Sequence, residues 1–293
     1  MKDLKTIVLA GGKAERLRPM MGSKQSQYLY SKPAIYYPLS AAMYTGSRDV
    51  HIISTPNDLP QFREHFGDGS QLGMNFSYSV QEQPRGLADA FNVGREFIGS
   101  DNVCLILGDN VFFGHGLPEL LIKAKNDLEQ QGGATIFGKL VRDPKRFGVV
   151  EFDSGGKVLS IEEKPDSPRS NYAVTGLYFY DNDVVAIAKG LKPSKRNELE
   201  ITDVNSEYLR KGNLRVELLG RGYAWFDMGT EESMLKAANF IGSIEQESDQ
   251  RVACLEEIAY SLGHIDKEQL LRLAKKYEKS GYGQYLSRIA GSK

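Results

Sequence analysis

With 293 residues, the chain is long enough to bury a large core as one main α/β domain with an appendage. Its 37 Lys and Arg against 38 Asp and Glu leave a net charge of −1, which gives no global attraction to nucleic acid or to an anionic membrane. Any basic site must therefore be local, and a small bound anion suits such a chain better than a polyanion.

The first apolar run, Thr6-Ile7-Val8-Leu9-Ala10, reads as a buried strand. It empties into Gly11-Gly12-Lys13-Ala14-Glu15-Arg16, where a parallel α/β sheet normally meets its nucleotide. The two glycines let the backbone approach phosphate oxygens and Arg16 can fork onto them, whereas Glu15 adds negative charge at the same place. Strand-like runs at 50–54, 76–80, 103–107 and 134–137 alternate with helical periods near 87–97 and 117–128, which predicts a doubly wound, mostly parallel sheet. From Gly148 the spacing tightens. Val149-Val150-Glu151-Phe152 and Val158-Leu159-Ser160-Ile161 flank the turn Asp153-Ser154-Gly155-Gly156, a hairpin that makes the sheet mixed.

Beyond Gly229 the pattern becomes helical. Met234, Ala237, Ala238 and Ile241 share one face, as do Leu270, Leu273, Ala274 and Tyr277, and Asp266 with Gln269 is placed as a capping box. Residues 1–230 are thus expected to form the α/β domain that carries the site, and 231–293 a helical appendage packed on it or on a neighbouring subunit. The N-terminus lacks a charged stretch followed by a long apolar one, and no run approaches the ~20 apolar residues of a membrane span, so the expected location is the cytoplasm. Cys104 and Cys254, the only cysteines, are expected to be buried free thiols.

Four segments carry candidate chemistry. Asp109 follows the apolar run Leu105-Ile106-Leu107, at the sheet edge where open α/β folds bind ligands, and Asp227 sits in a similar strand-to-helix position. Two carboxylates on Mg²⁺ are a recurrent way to neutralise a nucleotide during transfer. Lys164 ends a strand ahead of Pro165 and can project as a point charge, and the amides near Gln81, with Gly86 behind them, can read a base edge. The chain has no G-x-x-x-x-G-K-[ST], no G-x-G-x-x-G near the first strand and no G-x-S-x-G, and its four histidines, His51, His65, His115 and His264, lack metal-ligand spacing. A P-loop ATPase, a dehydrogenase, a zinc hydrolase and a serine esterase are all disfavoured.

Taken as a series, Val8-Leu9-Ala10-Gly11-Gly12 with Arg16-Leu17, Ser23-Lys24-Gln25, Lys32-Pro33, Ile35-Tyr36-Tyr37-Pro38-Leu39-Ser40, Leu107-Gly108-Asp109-Asn110, Glu162-Glu163-Lys164-Pro165, Glu198-Leu199-Glu200-Ile201-Thr202-Asp203 and Gly220-Arg221-Gly222-Tyr223-Ala224-Trp225 resemble the bacterial glucose-1-phosphate thymidylyltransferases. These belong to the sugar-phosphate nucleotidylyltransferases, and the match runs over nearly the whole chain. The resemblance implies a Rossmann-like nucleotidyltransferase fold and a reaction in which glucose 1-phosphate attacks the α-phosphorus of dTTP, giving dTDP-glucose and pyrophosphate. It further implies that Asp109 and Asp227 hold Mg²⁺, that Arg16 and Lys24 cradle the triphosphate with Gly11 and Gly12, and that Lys164 binds the sugar phosphate with Arg196 nearby. Gln25 and Gln81, with Gly86, would face the thymine, while Gly148, Glu163, Val174 and Tyr178 would line the sugar pocket. A homotetramer and a second, regulatory nucleotide site near Gly114, His115, Arg221, Gly222 and Glu257 are implied in the same way.

The chain departs from the family's pattern at Lys13-Ala14-Glu15, usually Ser-Gly-Thr, and in a shortened stretch between Pro19 and Ser23. It also carries Ser26-Gln27-Tyr28 for Leu-Leu-Pro, Arg85 for an acid and Met228 for a threonine. An altered loop beside an intact distal site leaves a second reading open, a regulatory or scaffolding paralogue that binds nucleotide or dTDP-sugars. A third is an enzyme with altered preference, for UTP in place of dTTP.

Overall fold

A computed structural model describes residues 2–12, 17 and 22–291. In chain order, β1 (Leu4–Leu9) is followed by a 3₁₀ turn (Lys24–Ser26), β2 (Tyr28–Leu29), β3 (Lys32–Pro33), α1 (Tyr36–Tyr44) and β4 (Asp49–Ser54). Next come α2 (Leu59–Phe66), β5 (Asn75–Val80), the short helices α3 (Asp89–Val93) and α4 (Arg95–Ile98), and β6 (Asn102–Leu107). The chain continues through β7 (Asn110–Gly114), α5 (Leu117–Gln131), β8 (Ala134–Leu140), β9 (Gly148–Phe152), β10 (Val158–Glu163) and β11 (Tyr172–Tyr180). Then follow α6 (Asp183–Gly190), α7 (Ile201–Arg210), β12 (Leu214–Leu219), β13 (Tyr223–Asp227), α8 (Glu231–Ser248), α9 (Leu255–Ser261), α10 (Lys267–Lys276) and α11 (Gly281–Gly291).

The main sheet runs β10-β9-β11-β6-β1-β4-β5, and β8 joins β11 to β12. Strands β6, β1, β4 and β5 are mutually parallel, while β11 lies antiparallel to β6, β8 and β9. This is the mixed, doubly wound α/β sheet that the sequence predicts. Alternating side chains divide it into two apolar layers. Leu4 and Val8 of β1, Cys104 and Ile106 of β6, and Leu177 and Phe179 of β11 meet α1, α2, α5 and α9–α11. Ile7 and Leu9, Val103 and Leu105, and Tyr178 and Tyr180 meet α3, α4, α6 and α7 on the other face.

Helix α8 seals a third cluster, in which Ala237 and Ile241 pack with Leu29, Tyr37, Val111 and Met228. The predicted stripe on α10 is also a packing surface within the chain, because Leu270 and Ala274 are buried in the first layer. Two local expectations change. The helical period at 87–97 is broken at Gly94 into α3 and α4. At α10, Asp266 accepts from the Gln269 amide N at 2.8 Å, but the Gln269 side chain donates to the Gln71 carbonyl at 3.0 Å, so half of the capping box is exchanged for a tie to the core. The full reciprocal box stands at Thr230 and Ser233, where α8 begins.

His51 shows how completely the sheet is covered. It stacks on Phe97, its Nδ1 meets Ser77 Oγ at 2.7 Å, and its buried Nε2 has no hydrogen-bond partner among the described residues. Burial pushes its pKa down to about 4 from 6.5. Between those values the unfolded chain takes up a proton that the folded chain refuses, so stability is lost as pH falls from 6.5 toward 4. The loss is up to about 3 kcal/mol. Thermal unfolding across this window checks it: His51→Asn is expected to flatten the acid side of the Tm profile, and an unchanged slope would show that His51 does not set it.

Candidate active site

A cavity of about 600 Å³ opens beside the C-terminal ends of β1 and β6. Gly12, Lys24 and Asp109 are among the residues that line it. The Ser23 hydroxyl accepts from the Ser26 amide at 3.2 Å and fixes the turn that carries Lys24. Lys24 Nζ forms an ion pair with Asp109 Oδ2, and Asp109 Oδ1 accepts from Asn110 Nδ2 at 3.0 Å.

Asn110 is buried and holds this corner together. Its Oδ1 accepts from Trp225 Nε1 at 2.6 Å and from the Gly176 amide at 3.1 Å. Strand β7 pairs antiparallel with β13, with Asn110 opposite Asp227, and the Met228 amide donates to the Asp109 carbonyl at 3.0 Å. Two carboxylates far apart in sequence, Asp109 in the turn that leads into β7 and Asp227 at the end of β13, are thereby held on adjoining backbone. Among the described residues no cluster of three or more His, Cys, Asp or Glu side chains could hold a metal. A pair of carboxylates without nitrogen or sulfur donors fits Mg²⁺, which is commonly bound by one or two carboxylates and completes its shell with water and phosphate oxygens.

Lys164 follows β10 with φ at 45°, a left-handed value costing a non-glycine residue roughly 1–2 kcal/mol. Its amide donates to the Phe147 carbonyl at 3.0 Å, and its side chain lines the cavity. The Glu163 carboxylate accepts from Thr202 Oγ1 at 2.5 Å and from Arg196 at 3.1 Å. Arg196 in turn forks onto Glu200, with Nε at 3.1 Å and a terminal nitrogen at 2.6 Å. Burial works to lower the Arg196 pKa, but hydrogen-bonded Glu200 and the charges of Glu198 and Glu163 carry it above its ordinary value. Space is tight at Gly148, where a Cβ would lie 3.2 Å from Thr202 Oγ1 and press on the hydroxyl that holds Glu163. Tyr178 is buried, and burial, reinforced by the charges of Glu163 and Asp109, raises its pKa and keeps the phenol neutral.

The cavity therefore unites Gly12, Lys24, Asp109, Gly148, Glu163, Lys164, Val174, Tyr178, Arg196 and Asp227 of the expected residues. Gly11, Gln25, Gln81 and Gly86 are not among its lining residues. Gln25 is buried in the turn that carries Lys24, and its carbonyl accepts from the Ile35 amide at 3.0 Å. Gln81 donates to Asp89 at 3.0 Å and turns its carbonyl oxygen toward Gly11, within 3.5 Å of where a Cβ would stand. Gly86, at φ 104°, lets the chain cross Leu199, whose backbone oxygen would lie 2.4 Å from a Cβ. Arg16 and the Lys13-Ala14-Glu15 segment lie outside the described residues.

Asn110, Glu200 and Thr202 stood in motifs that carried the resemblance but were assigned no role, and Arg146 and Asp89 were not singled out by sequence reasoning at all. Met228 is wholly buried, so its departure from the family pattern serves the apolar cluster under α8. At the expected regulatory position, Gly114 faces Tyr223, and a Cβ on it would lie 2.9 Å from the Gly222 carbonyl, so Gly114-His115 and Arg221-Gly222 adjoin. Glu257 on α9 accepts from the Tyr285 hydroxyl at 2.6 Å, and burial raises its pKa.

The nucleotidyl transferase family model matches residues 5–244. The chain belongs to that family. It is 53% identical over 292 residues to a glucose-1-phosphate thymidylyltransferase of Xanthomonas campestris pv. campestris, covering 99% of this chain and 98% of that one. A Mycobacterium tuberculosis protein of the same name is 51% identical over 285 residues, 97% of this chain and 98% of its own. Among solved structures, a Bacillus anthracis protein assigned as a glucose-1-phosphate thymidylyltransferase and crystallised with sucrose superposes with a TM-score of 0.74 at 36% identity, over 81% of this chain and 95% of that chain. A UDP-glucose pyrophosphorylase in complex with UDP-glucose gives 0.70 at 25% identity, over 82% and 98%.

Proposed function

We propose that this member of the nucleotidyl transferase family condenses dTTP with glucose 1-phosphate to dTDP-glucose and pyrophosphate. The observation that carries the reading is the meeting of Lys24, Asp109, Asp227 and Lys164 in one cavity at the sheet edge, in a chain half identical to full-length relatives named for that reaction. A phosphate oxygen of the sugar phosphate forms the new bond to the α-phosphorus, and the bond to the β-phosphate breaks to release pyrophosphate. No protein nucleophile is needed; the protein positions the reactants and neutralises charge.

Lys24 stands where a triphosphate would lie, and Lys164 with Arg196 faces the sugar-phosphate end. Mg²⁺ bound by Asp109 and Asp227 would draw charge from the phosphate oxygens. Glu163, held by Thr202 and Arg196, presents acceptor oxygens for sugar hydroxyls. We extend the proposal to Arg16 as a triphosphate ligand, to Gln25 and Gln81 as thymine contacts, to a homotetramer and to a regulatory nucleotide site at Gly114, His115, Arg221, Gly222 and Glu257. The regulatory or scaffolding reading finds no support in the fold or in the named relatives.

Mass-spectrometric identification of the product from dTTP, glucose 1-phosphate and Mg²⁺, with UTP as competitor, tests the reading. dTDP-glucose is the expected main product. Nucleotide binding without any sugar nucleotide formed would overturn it, and UDP-glucose as the main product would move the assignment to uridylyl transfer.

A further inference from the structure

We propose that Arg146 is a phosphate-positioning residue that rests on Asp227 until a divalent metal claims that carboxylate. The inference deepens the proposed function and rests on it. Arg146 lies in the β8–β9 connection, lines the same cavity and places a terminal nitrogen 3.4 Å from Asp227 Oδ2. Its guanidinium sits over the Phe147 ring, 5.6 Å from the centroid, and that ring packs on Trp225 at 5.0 Å. Phe147 also receives the Lys164 amide on its carbonyl, so one short turn links the cation beside Asp227 to the lysine at the sugar-phosphate end.

The pair is built to separate. At 3.4 Å it is a long contact, and the two side chains are 43% and 23% exposed, conditions in which an ion pair holds weakly. A metal on Asp227 would repel the guanidinium, just as a metal on Asp109 would repel Lys24. Each displaced cation then has phosphate oxygens in the same cavity as its next partner, and a planar guanidinium matches two of them at once. Arg146 would thus keep Asp227 compensated before loading and would clamp the sugar phosphate or the departing pyrophosphate afterwards.

The test measures Mn²⁺ binding to the full chain without nucleotide, by the electron paramagnetic resonance signal of free Mn²⁺, and steady-state kinetics with glucose 1-phosphate. It compares the natural chain with Arg146→Gln, Arg146→Lys and Asp227→Asn. Arg146→Gln is expected to bind Mn²⁺ about threefold more tightly, because a weak competing ion pair is gone. The same variant is expected to lose about tenfold or more in kcat/KM for glucose 1-phosphate, with only part of it restored by Arg146→Lys, which returns the charge but not the two-pronged contact. Unchanged Mn²⁺ affinity or unchanged kcat/KM in Arg146→Gln, with Mn²⁺ binding lost in Asp227→Asn, would overturn the role of Arg146 and leave the metal reading in place. Undiminished Mn²⁺ binding in Asp227→Asn would overturn both.

Discussion

Asp109→Asn is expected to lower pyrophosphate release by roughly 10²–10³-fold while leaving the fold unchanged. The substitution keeps the shape of the side chain, and the backbone carbonyl that accepts from the Met228 amide is untouched. What disappears is a negative charge at the place where Lys24 and a metal would both be held. Without it Lys24 loses its counter-charge and one of two carboxylates for Mg²⁺ is gone, so the barrier rises through lost charge neutralisation, not through lost packing. Assays with saturating dTTP and glucose 1-phosphate check this beside thermal unfolding. A variant turning over within tenfold of the natural chain would remove Asp109 from the reaction.

The largest effect on stability is expected from Lys32→Met. Lys32 and Glu245 form an ion pair at 2.7 Å with only 3% and 1% of their side chains exposed, and Arg251 and Ser31 add hydrogen bonds to the same carboxylate. Burial pushes the Glu245 carboxyl upward, but the hydrogen bonds and charge of Lys32, with Arg251 and Ser31, outweigh it and hold the group below its ordinary value. Removing the lysine leaves a buried carboxylate half compensated, at a cost of about 3–5 kcal/mol, with Arg251 drawing the figure toward the lower end. Urea unfolding measures it, and adding Glu245→Gln should recover part of the loss. A change under about 1 kcal/mol would show that the pair is not needed. The effect should reach function, because Lys32 follows the turn that holds Lys24 and Gln25 and fastens it to α8.

Strands β1, β4 and β6 were legible as continuous apolar runs because both of their faces are covered, and the β9–β10 hairpin because its turn residues are explicit. Helix α1 was not legible. Tyr36 through Met43 are all buried, so it carries no polar face and no 3.6-residue alternation. The candidate carboxylates could be named from their strand ends, yet nothing local told that Asn110 would lie opposite Asp227, a pairing set by the β7–β13 ribbon. Arg146 was missed for the same reason, since a charged residue in a polar loop gives no sign of which distant side chain it will meet. Gly86 carried a correct signal of close approach, but what approaches is the backbone of Leu199.

The most direct test of the account is the anomalous scattering of Mn²⁺ in crystals grown with glucose 1-phosphate and a non-hydrolysable dTTP analogue. One peak is expected, coordinated by the carboxylates of Asp109 and Asp227, with Lys24 on the triphosphate and Lys164 on the sugar phosphate. Metal and nucleotide bound outside this cavity, or a peak that touches neither carboxylate, would contradict it.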